Sequence, residues 1–386
     1  LATIMQTRTR FVAMVGRAST LSRPTLLRFL PALLLVGLLA AGGCRSKESN
    51  AVRIGVFGSL TGDTATFGLS TKNGVDLALA EVNAAGGVLG KPVEALVEDD
   101  RGQAPEAATA VTRLINQSRV VAVLGEVAST RSLAAAPICQ SSSIPMITPA
   151  STNPSVTHVG DYIFRICFID PFQGTVMAKF AHSTLKARKV AIFEDKSQEY
   201  STGLADFFSE TFTKLGGKIT TRTSFTSGDI DFKAQLTDIR AGNPDAVFVP
   251  GYYTQVGLIA KQAREVGINA PLLGGDGWDS PELVRIGGKA LEGCYFSNHY
   301  SVEDQNPRIQ EFITKYKAKY GDVPDAMAAL GYDAARILCD AMARAGATEP
   351  GKLRDAIAQT SDFDGVTGRI TLDKERNAVK PAVVLQ

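Results

Sequence analysis

Segments with the pattern of β-strands alternate with segments of helical periodicity along most of this 386-residue sequence. The apolar run VRIGVF at 52–57 predicts a first strand, whereas Val75, Leu79 and Val82 recur at the spacing of a helix. Regular alternation of apolar strands and amphipathic helices indicates parallel sheets covered by helices on both faces. The pattern therefore predicts an α/β fold made of doubly wound parallel-sheet units.

The alternation falls into two series separated at Asp170-Pro171, where a proline stops one strand and a new helical pattern begins. Two series predict two lobes. Helical patterns at 306–320 and 325–345 follow the second series, and we expect them to return to the first lobe. The chain then crosses between the lobes several times, which describes a multi-segment hinge suited to closing around a ligand.

Residues 26–44 read LLRFLPALLLVGLLAAGGC, an apolar run with arginines before it and small residues after it. A charged start, an apolar core too short to span a bilayer and small residues at its end are typical of a secretory signal. The cysteine that follows, Cys44, resembles the acylated cysteine of a bacterial lipobox. We therefore expect an exported protein, periplasmic or at the cell surface, anchored to a bacterial membrane through a lipid on Cys44. An ordinary secreted protein with an incidental cysteine is the alternative.

These observations divide the chain into predicted segments. They are a lipoprotein signal peptide at 1–43, a tether at 44–51, an N-terminal lobe at 52–170 plus 298–370, and a C-terminal lobe at 171–297 plus 371–386. The last residues, AVVLQ, have the pattern of an unfinished strand, so we expect the chain to continue after Gln386.

Removal of the predicted signal changes the charge balance, because residues 1–43 contain five arginines and no acidic residue. The rest of the chain has 36 basic and 39 acidic side chains, a formal charge of −3. A nearly neutral body without a long basic run argues against nucleic-acid binding.

Four cysteines follow Cys44, and none of them lies in a CxxC motif, which argues against metal and redox sites of that type. An exported protein permits disulfides. Both the pairings of Cys139 with Cys167 and of Cys294 with Cys339, and four isolated thiols, are compatible with the sequence.

Motifs of common enzyme classes are missing from the sequence. There is no GxGxxG after the first strand, no GxSxG and no HExxH, and NAAGGVLGKP at 83–92 ends in proline where a P-loop needs Ser or Thr. The three histidines, His158, His182 and His299, lie at no metal-ligand spacing, and we expect each to be structural or exposed. The sequence therefore predicts no enzymatic activity, no cofactor and no metal site.

Polar residues follow two strands of the first series, at the edge where open α/β sheets bind ligands. Ser129 starts a helix, where its hydroxyl and the unpaired N–H groups of the helix suit an anion such as a carboxylate. Ala150, Ser151 and Thr152 follow the next strand, and their hydroxyls and backbone are expected to meet the same anion. A plain helix cap and an ordinary turn are the alternatives.

The second series carries aromatic residues and an acid at the corresponding strand ends. Tyr200 precedes a helix, Tyr252 follows a strand, and Asp276 lies between glycines in a loop. An acid in that position suits an ammonium, although an isolated acid is more often a turn residue. Neutral donors in one lobe and an acid in the other fit the two ends of a zwitterionic amino acid.

A set of longer motifs is highly specific when taken together. They are IGVFGSLTG, NAAGGVLGKP, IPMITPASTNPSVT, FRICFIDPFQG, PGYYTQVGLIAKQAR and GGDGWDS. With these motifs, residues 52–386 resemble the substrate-binding lipoproteins of ABC transporters of the leucine/isoleucine/valine-binding type. That resemblance implies the type I periplasmic binding protein fold.

The resemblance also implies roles for the residues at the strand ends. Ser129, Thr152 and the backbone around Ala150 would hold the ligand carboxylate, Asp276 would take the α-amino group, and Tyr200 and Tyr252 would shape the pocket. Two positions depart from the family pattern. Phe67 stands where a tyrosine often closes over the ligand side chain, and Asp276 is shorter than the glutamate of well-known members.

The function implied by this resemblance is that of the extracytoplasmic binding component of an ABC importer. Such a protein, expected to be a monomer, binds a small amino acid, branched-chain or otherwise aliphatic, and delivers it to a membrane permease. A ligand-sensing receptor domain for an amide, urea-like or aromatic-acid ligand is the alternative. An exported enzyme on the same fold is a third hypothesis.

Overall fold

Strands and helices alternate through residues 50–386, the part of the chain that the computed structural model describes. The predicted signal peptide at 1–43 and the predicted anchor Cys44 lie outside these residues. The elements of the first series are β1 (Val52–Gly58), α1 (Ala65–Ala84), β2 (Val93–Asp99), α2 (Ala104–Asn116), β3 (Val123–Leu124), α3 (Ser129–Ser141), β4 (Met146–Thr148), α4 (Ser155–His158) and β5 (Ile163–Arg165).

The second series and a third group complete the described chain. The second series comprises α5 (Asp170–Lys179), a π-helical turn (Phe180–Thr184), β6 (Lys189–Asp195), α6 (Glu199–Lys214), β7 (Lys218–Phe225), α7 (Lys233–Ala241), β8 (Ala246–Phe248), α8 (Tyr253–Glu265), β9 (Leu272–Gly274), a 3-10 turn (Asp276–Trp278), α9 (Pro281–Gly287), a second 3-10 turn (Gly288–Leu291) and β10 (Tyr295–Asn298). The third group comprises α10 (Pro307–Tyr320), α11 (Ala326–Ala345), α12 (Pro350–Ala358), β11 (Phe363–Gly365), β12 (Gly368–Leu372), β13 (Ala378–Val379) and β14 (Val383–Leu385).

The first lobe is built on a parallel sheet with the strand order β2-β1-β3-β4-β5. In the centre of this sheet Val56 of β1 pairs with Val97 of β2 and with Leu124 of β3. Parallel neighbours need crossover helices, so all strands of this sheet end at the same edge. The loops after β3 and β4, which carry the predicted site residues, are therefore adjacent.

The second lobe has a sheet with the order β14-β10-β9-β8-β6-β7, in which all neighbours are parallel except β10 and β14. The antiparallel strand β14 pairs Val384 with Ser297 of β10. The two sheets, parallel except for β14, confirm the predicted α/β fold class with two doubly wound lobes.

Helix α11 returns to the first lobe and packs closely along α1. Two glycines permit this approach: a Cβ atom on Gly74 would lie 1.9 Å from the carbonyl oxygen of Ala328, and one on Gly331 would lie 2.4 Å from that of Thr71. Any side chain at either position would push the two helices apart.

The chain passes between the lobes before α5, after β10 and before β14. A small antiparallel sheet of β11, β12 and β13 precedes the last passage, and Asp333 of α11 accepts hydrogen bonds from the backbone N–H groups of Val366 and Thr367, each at 2.8 Å. Residue boundaries for the two lobes stay a prediction.

The four cysteines after position 44 are buried thiols without disulfide bonds in the structure. They are Cys139, Cys167, Cys294 and Cys339. In residues 50–386, no helix combines the length and hydropathy that a membrane crossing requires.

Candidate ligand-binding site

The predicted site residues lie at the facing edges of the two sheets and are nearly fully buried. Ser129 begins α3, and Ala150, Ser151 and Thr152 lie in the loop after β4. Tyr200 lies in the first turn of α6, Tyr252 immediately precedes α8, and Asp276 opens the 3-10 turn after β9, while Phe67 lies in the first turn of α1. The fold therefore brings the predicted residues into one layer between the lobes.

In the first lobe, hydroxyl groups tie the loops after β3 and β4 together. Ser129 Oγ accepts a hydrogen bond from the backbone N–H of Asn153 at 3.1 Å, rather than capping its own helix. Ser151 Oγ lies 2.9 Å from the carbonyl oxygen of Glu126 and 2.7 Å from Ser132 Oγ. The hydroxyl of Ser151 is therefore engaged within the lobe and fixes the loop on which Thr152 lies.

Aromatic rings from both lobes form the wall of the site. The rings of Tyr200 and Tyr252 lie parallel with centroids 5.3 Å apart. Phe67 of the first lobe packs edge-to-face against Tyr252 and Tyr253. Its ring centroid lies 5.7 Å from that of Tyr252 and 4.9 Å from that of Tyr253. Edge-to-face contacts of this kind close the site around an apolar surface.

Asp276 is 2% exposed and receives a polar partner at each carboxylate oxygen. Gln173 Nε2 donates to Oδ1 at 3.2 Å, and His299 Nε2 lies 3.0 Å from Oδ2. The next residue, Gly277, donates its N–H to the Tyr200 hydroxyl at 3.1 Å. These contacts fix both the loop and the carboxylate in the closed interior.

Four buried polar atoms in this layer form no hydrogen bond of normal geometry within residues 50–386. They are Thr152 Oγ1, Asp170 Oδ2, the hydroxyl oxygen of Tyr252 and His299 Nδ1. Thr152 and Asp170 nevertheless interact through their side chains, as do Tyr252 and Arg131. A buried polar group without a well-formed hydrogen bond is costly, and proteins retain such groups where a ligand or water completes the bond. Two of these atoms, at Thr152 and Tyr252, lie where the sequence predicts ligand recognition.

A buried charged cluster beside the site was not predicted from the sequence. Arg131 Nε lies 3.4 Å from Glu126 Oε2, and Arg131 Nη1 donates to Thr64 Oγ1 at 2.8 Å and to the Ser59 hydroxyl. Burial and the neighbouring Glu126 raise the pKa of Asp100, which contacts Ser59, to about 7. This cluster holds the guanidinium against the aromatic wall of the second lobe.

The partners of Asp276 were also missed, because they come from distant parts of the chain. Gln173 lies in α5 and bridges Asp276 to Asp170, whose Oδ1 accepts from Gln173 Nε2 at 2.9 Å. Burial raises the pKa of Asp170 to about 7. His299 is fully buried, as a structural histidine would be, but it contacts a predicted ligand residue. The predicted lobe crossings near residues 170 and 298 were the features of the sequence that pointed to the regions of Gln173 and His299.

Trp278 packs beneath the site. Its indole Nε1 donates to the carbonyl oxygen of Val249 at 2.9 Å, and the side chain is 1% exposed. A Cβ on Gly274 would lie 2.1 Å from this indole, so glycine is needed for the ring to fit under the loop.

Direct hydrogen bonds hold the two lobes together across the site. They join Thr66 N to the Tyr253 hydroxyl (3.2 Å), Thr254 Oγ1 to the carbonyl oxygen of Asp63 (2.6 Å) and Glu199 N to Thr130 Oγ1 (2.9 Å). The structure therefore has the lobes closed on one another.

Comparison with known proteins gives a consistent set of relatives. The chain is 29% identical over 331 residues to the leucine-, isoleucine-, valine-, threonine-, and alanine-binding protein of Pseudomonas aeruginosa, covering 86% of this chain and 88% of that protein. Two crystal structures have a TM-score of 0.83 and cover 86% of this chain and 95% of their own. They are the leucine binding protein LivK from Thermotoga maritima, at 45% identity, and the branched-chain amino acid transporter substrate binding protein LivJ from Streptococcus pneumoniae in complex with isoleucine, at 35% identity.

The family described as periplasmic binding protein matches residues 51–386, which is nearly all of the described chain. The similarity to LivK and LivJ, over 86% of this chain, includes residues of both lobes. The chain belongs to the periplasmic binding protein family.

Proposed function

We propose that this protein binds a small α-amino acid with an aliphatic side chain between its lobes and delivers it to the permease of an ABC importer. The observation that carries the proposal is the pairing of opposite chemistries in one buried layer. Thr152 offers a buried hydroxyl from the first lobe, and Asp276 offers a buried carboxylate from the second. The carboxylate of an amino acid accepts hydrogen bonds and so matches Thr152, and its ammonium donates them and so matches Asp276.

In this proposal the first lobe binds the ligand carboxylate. Ser129 and Thr152 donate from their hydroxyls, the backbone near Ala150 contributes N–H groups, and Ser151 holds the loop in place. Asp276 accepts from the α-ammonium of the ligand. Hydrogen bonds to ionised groups in a site without water are stronger than those between neutral groups. They therefore hold the α-carboxylate and α-ammonium groups that all α-amino acids share.

The ligand side chain then lies against the aromatic wall formed by Phe67, Tyr200 and Tyr252. Apolar contacts of this kind favour aliphatic side chains over charged ones. The names of the relatives support the same ligand class, because LivK is a leucine binding protein and LivJ was crystallised with isoleucine.

Binding requires closure of the lobes and no bond making or breaking. A ligand that contacts both Thr152 and Asp276 interacts with both lobes only when they are closed, so it stabilises the closed form by its differential affinity. The interlobe hydrogen bond from Thr254 to Asp63 adds to that form. The closed form then presents a defined surface to the permease.

Isothermal titration calorimetry on the purified protein tests the ligand class. Leucine, isoleucine and valine are titrated, with benzoate and urea as the contrasting ligands. We expect binding of at least one aliphatic amino acid and no heat from benzoate or urea. Binding of benzoate or urea alone would overturn the proposal and favour a receptor or carrier of a different ligand class.

For the location, we propose export followed by lipid attachment at Cys44. Labelling of expressing cells with a fatty-acid analogue tests this: the wild-type protein and the Cys139→Ser variant should carry the label, and Cys44→Ser should not. Label on the Cys44→Ser variant would contradict it. Light scattering on the purified protein should give the mass of a monomer.

A further inference from the structure

His299 lies between the ligand layer and the crossings that connect the lobes. It directly follows β10, at the point where the chain leaves the second lobe. Its side chain is fully buried, and its Nε2 lies 3.0 Å from Oδ2 of Asp276. The other carboxylate oxygen of Asp276 is taken by Gln173 Nε2. One donor at each oxygen holds the plane of the carboxylate.

The imidazole ring of His299 is itself fixed by residues of two crossings. It stacks on Phe168, with centroids 3.8 Å apart and planes 20° from parallel, and Phe168 lies in the segment that leads into α5. The backbone N–H of His299 donates to Asn298 Oδ1 at 2.8 Å, and Asn298 Nδ2 donates to Asp279 Oδ2 at 2.9 Å. The position of the ring is therefore set by the hinge.

The protonation of the ring follows from its surroundings. Burial lowers the pKa of His299, so the imidazole is neutral near pH 7 and carries one hydrogen. Nε2 faces Oδ2 of Asp276, and carboxylate oxygens accept hydrogen bonds, so the hydrogen is assigned to Nε2. Nδ1 is then bare, and it has no hydrogen-bond partner within residues 50–386.

A carboxylate oxygen accepts more than one hydrogen bond, so Asp276 keeps free lone pairs after bonding to Gln173 and His299. The hydrogen bonds from Gln173 and His299 restrict the rotation of the Asp276 carboxylate. An ammonium ligand then meets an acceptor that is already oriented, and less conformational freedom is lost on binding.

We infer that His299 is a positioning residue for the ligand amine: its Nε2–H orients the carboxylate of Asp276 toward the α-ammonium and ties that orientation to the hinge. This inference rests on the proposed function. It adds to the proposed function by assigning the selectivity for ligands with an amine to His299, which contacts Asp276 and lies where the chain crosses between the lobes.

Two substitutions separate the hydrogen bond from the packing of the ring. His299→Phe keeps a flat ring against Phe168 and removes the donor, whereas His299→Gln restores an N–H at a reach similar to that of Nε2. Each variant and the wild type are titrated with leucine and with 4-methylpentanoate, which is leucine without its amine. Circular dichroism and thermal unfolding without ligand establish that each variant is folded.

We expect His299→Phe to weaken leucine binding about tenfold or more, because hydrogen bonds to charged groups are among the stronger ones in proteins. The affinity for 4-methylpentanoate should change by no more than about twofold, and His299→Gln should recover most of the leucine affinity. A merely structural role would weaken both ligands equally. Equal weakening, or unchanged leucine binding in His299→Phe, would overturn the inference while leaving the proposed function in place.

A measurement on the wild-type protein gives a second test that does not depend on the folding of a variant. In ¹⁵N spectra of histidine-labelled protein, only three side chains contribute, His158, His182 and His299. We expect His299 to be the neutral Nε2–H tautomer, with a shift of its Nε2 resonance when leucine binds. An Nδ1–H tautomer would overturn the inference. Failure of the wild type to bind any amino acid would instead overturn the proposed function, and the inference with it.

Discussion

The guanidinium carbon of Arg131 lies 6.0 Å from the centroid of the Tyr252 ring, and the two residues belong to different lobes. Arg131 is held in the first lobe by its ion pair with Glu126, and Tyr252 stacks on Tyr200 in the second. A cation over an aromatic face is attractive, and more so when both are desolvated. Closure of the lobes therefore forms this contact and completes the aromatic wall of the site in the same step.

Substitution of Asp276 by asparagine should abolish amino-acid binding while preserving the fold. Asparagine keeps the shape of the side chain and one acceptor oxygen, but removes the charge that the ligand ammonium needs. Loss of one partner of a buried charged pair typically costs 3–5 kcal/mol, which corresponds to more than about a hundredfold in affinity. Calorimetry with leucine measures the loss. Asp206→Asn, an exposed change at an ion pair with Arg222, is the matched control. Affinity within tenfold of the wild type in Asp276→Asn would contradict the assigned amine site.

Two tyrosine hydroxyls at the site should contribute oppositely to stability. The Tyr200 hydroxyl accepts from Gly277 N, whereas the Tyr252 hydroxyl forms no hydrogen bond of normal geometry in the described chain and lies near the Arg131 guanidinium. We expect Tyr252→Phe to leave the free energy of unfolding unchanged or to raise it by up to about 1 kcal/mol. Tyr200→Phe should lower it by about 1 kcal/mol. Denaturant unfolding without ligand measures both, and a larger loss in Tyr252→Phe than in Tyr200→Phe would refute the assignment.

The buried carboxyl of Asp170 should make stability depend on pH. Burial raises its pKa to about 7, whereas in the unfolded chain it is near 4. Between these values the folded protein binds the extra proton. The contribution of Asp170 to the free energy of unfolding is therefore fully present below about pH 4. It falls as the pH rises to about 7, with a slope of at most about 1.4 kcal/mol per pH unit, and is constant above that.

Asp170→Asn isolates this contribution, because it leaves an acceptor for Gln173 and cannot titrate. The difference in unfolding free energy between variant and wild type should grow in favour of the variant from pH 4.5 to pH 7. Guanidinium unfolding at several pH values measures it. A difference that is independent of pH would show that Asp170 does not titrate in this range.

The cysteines after position 44 should be free and unreactive in the folded protein. Burial raises the pKa of Cys139, Cys167 and Cys339 to about 12, and also raises that of Cys294. A thiol reagent should modify none of these four in native buffer and all four after unfolding without reductant. Recovery of fewer than four thiols would reveal a disulfide, and peptide mapping would distinguish the pairing of Cys139 with Cys167 from that of Cys294 with Cys339.

The periodicity of the sequence was sufficient to locate the strand ends that carry Ser129, Thr152 and Asp276, because parallel strands end at one edge of a sheet. Their assigned roles came from the family resemblance. Short elements escaped prediction. Helix α9, at 281–287, and strands β11 to β13 span too few residues to show a hydrophobic period.

Contacts between distant segments could not be predicted in the same way. His299 meets Asp276, and Arg131 meets Tyr252, only after the lobes form and close, and no spacing along the chain relates either pair. The crossing predicted near residue 298 marked the neighbourhood of His299 but not its contact. Side-chain partners of this kind depend on tertiary packing, which a periodic pattern does not encode.

A crystal structure of the protein grown with leucine examines the proposed binding mode atom by atom. We predict a leucine molecule enclosed between the lobes, its carboxylate within hydrogen-bond distance of Ser129 Oγ and Thr152 Oγ1 and its ammonium against Asp276. A leucine bound in the reverse orientation, or crystals with leucine at saturating concentration and none of it between the lobes, would contradict the proposal.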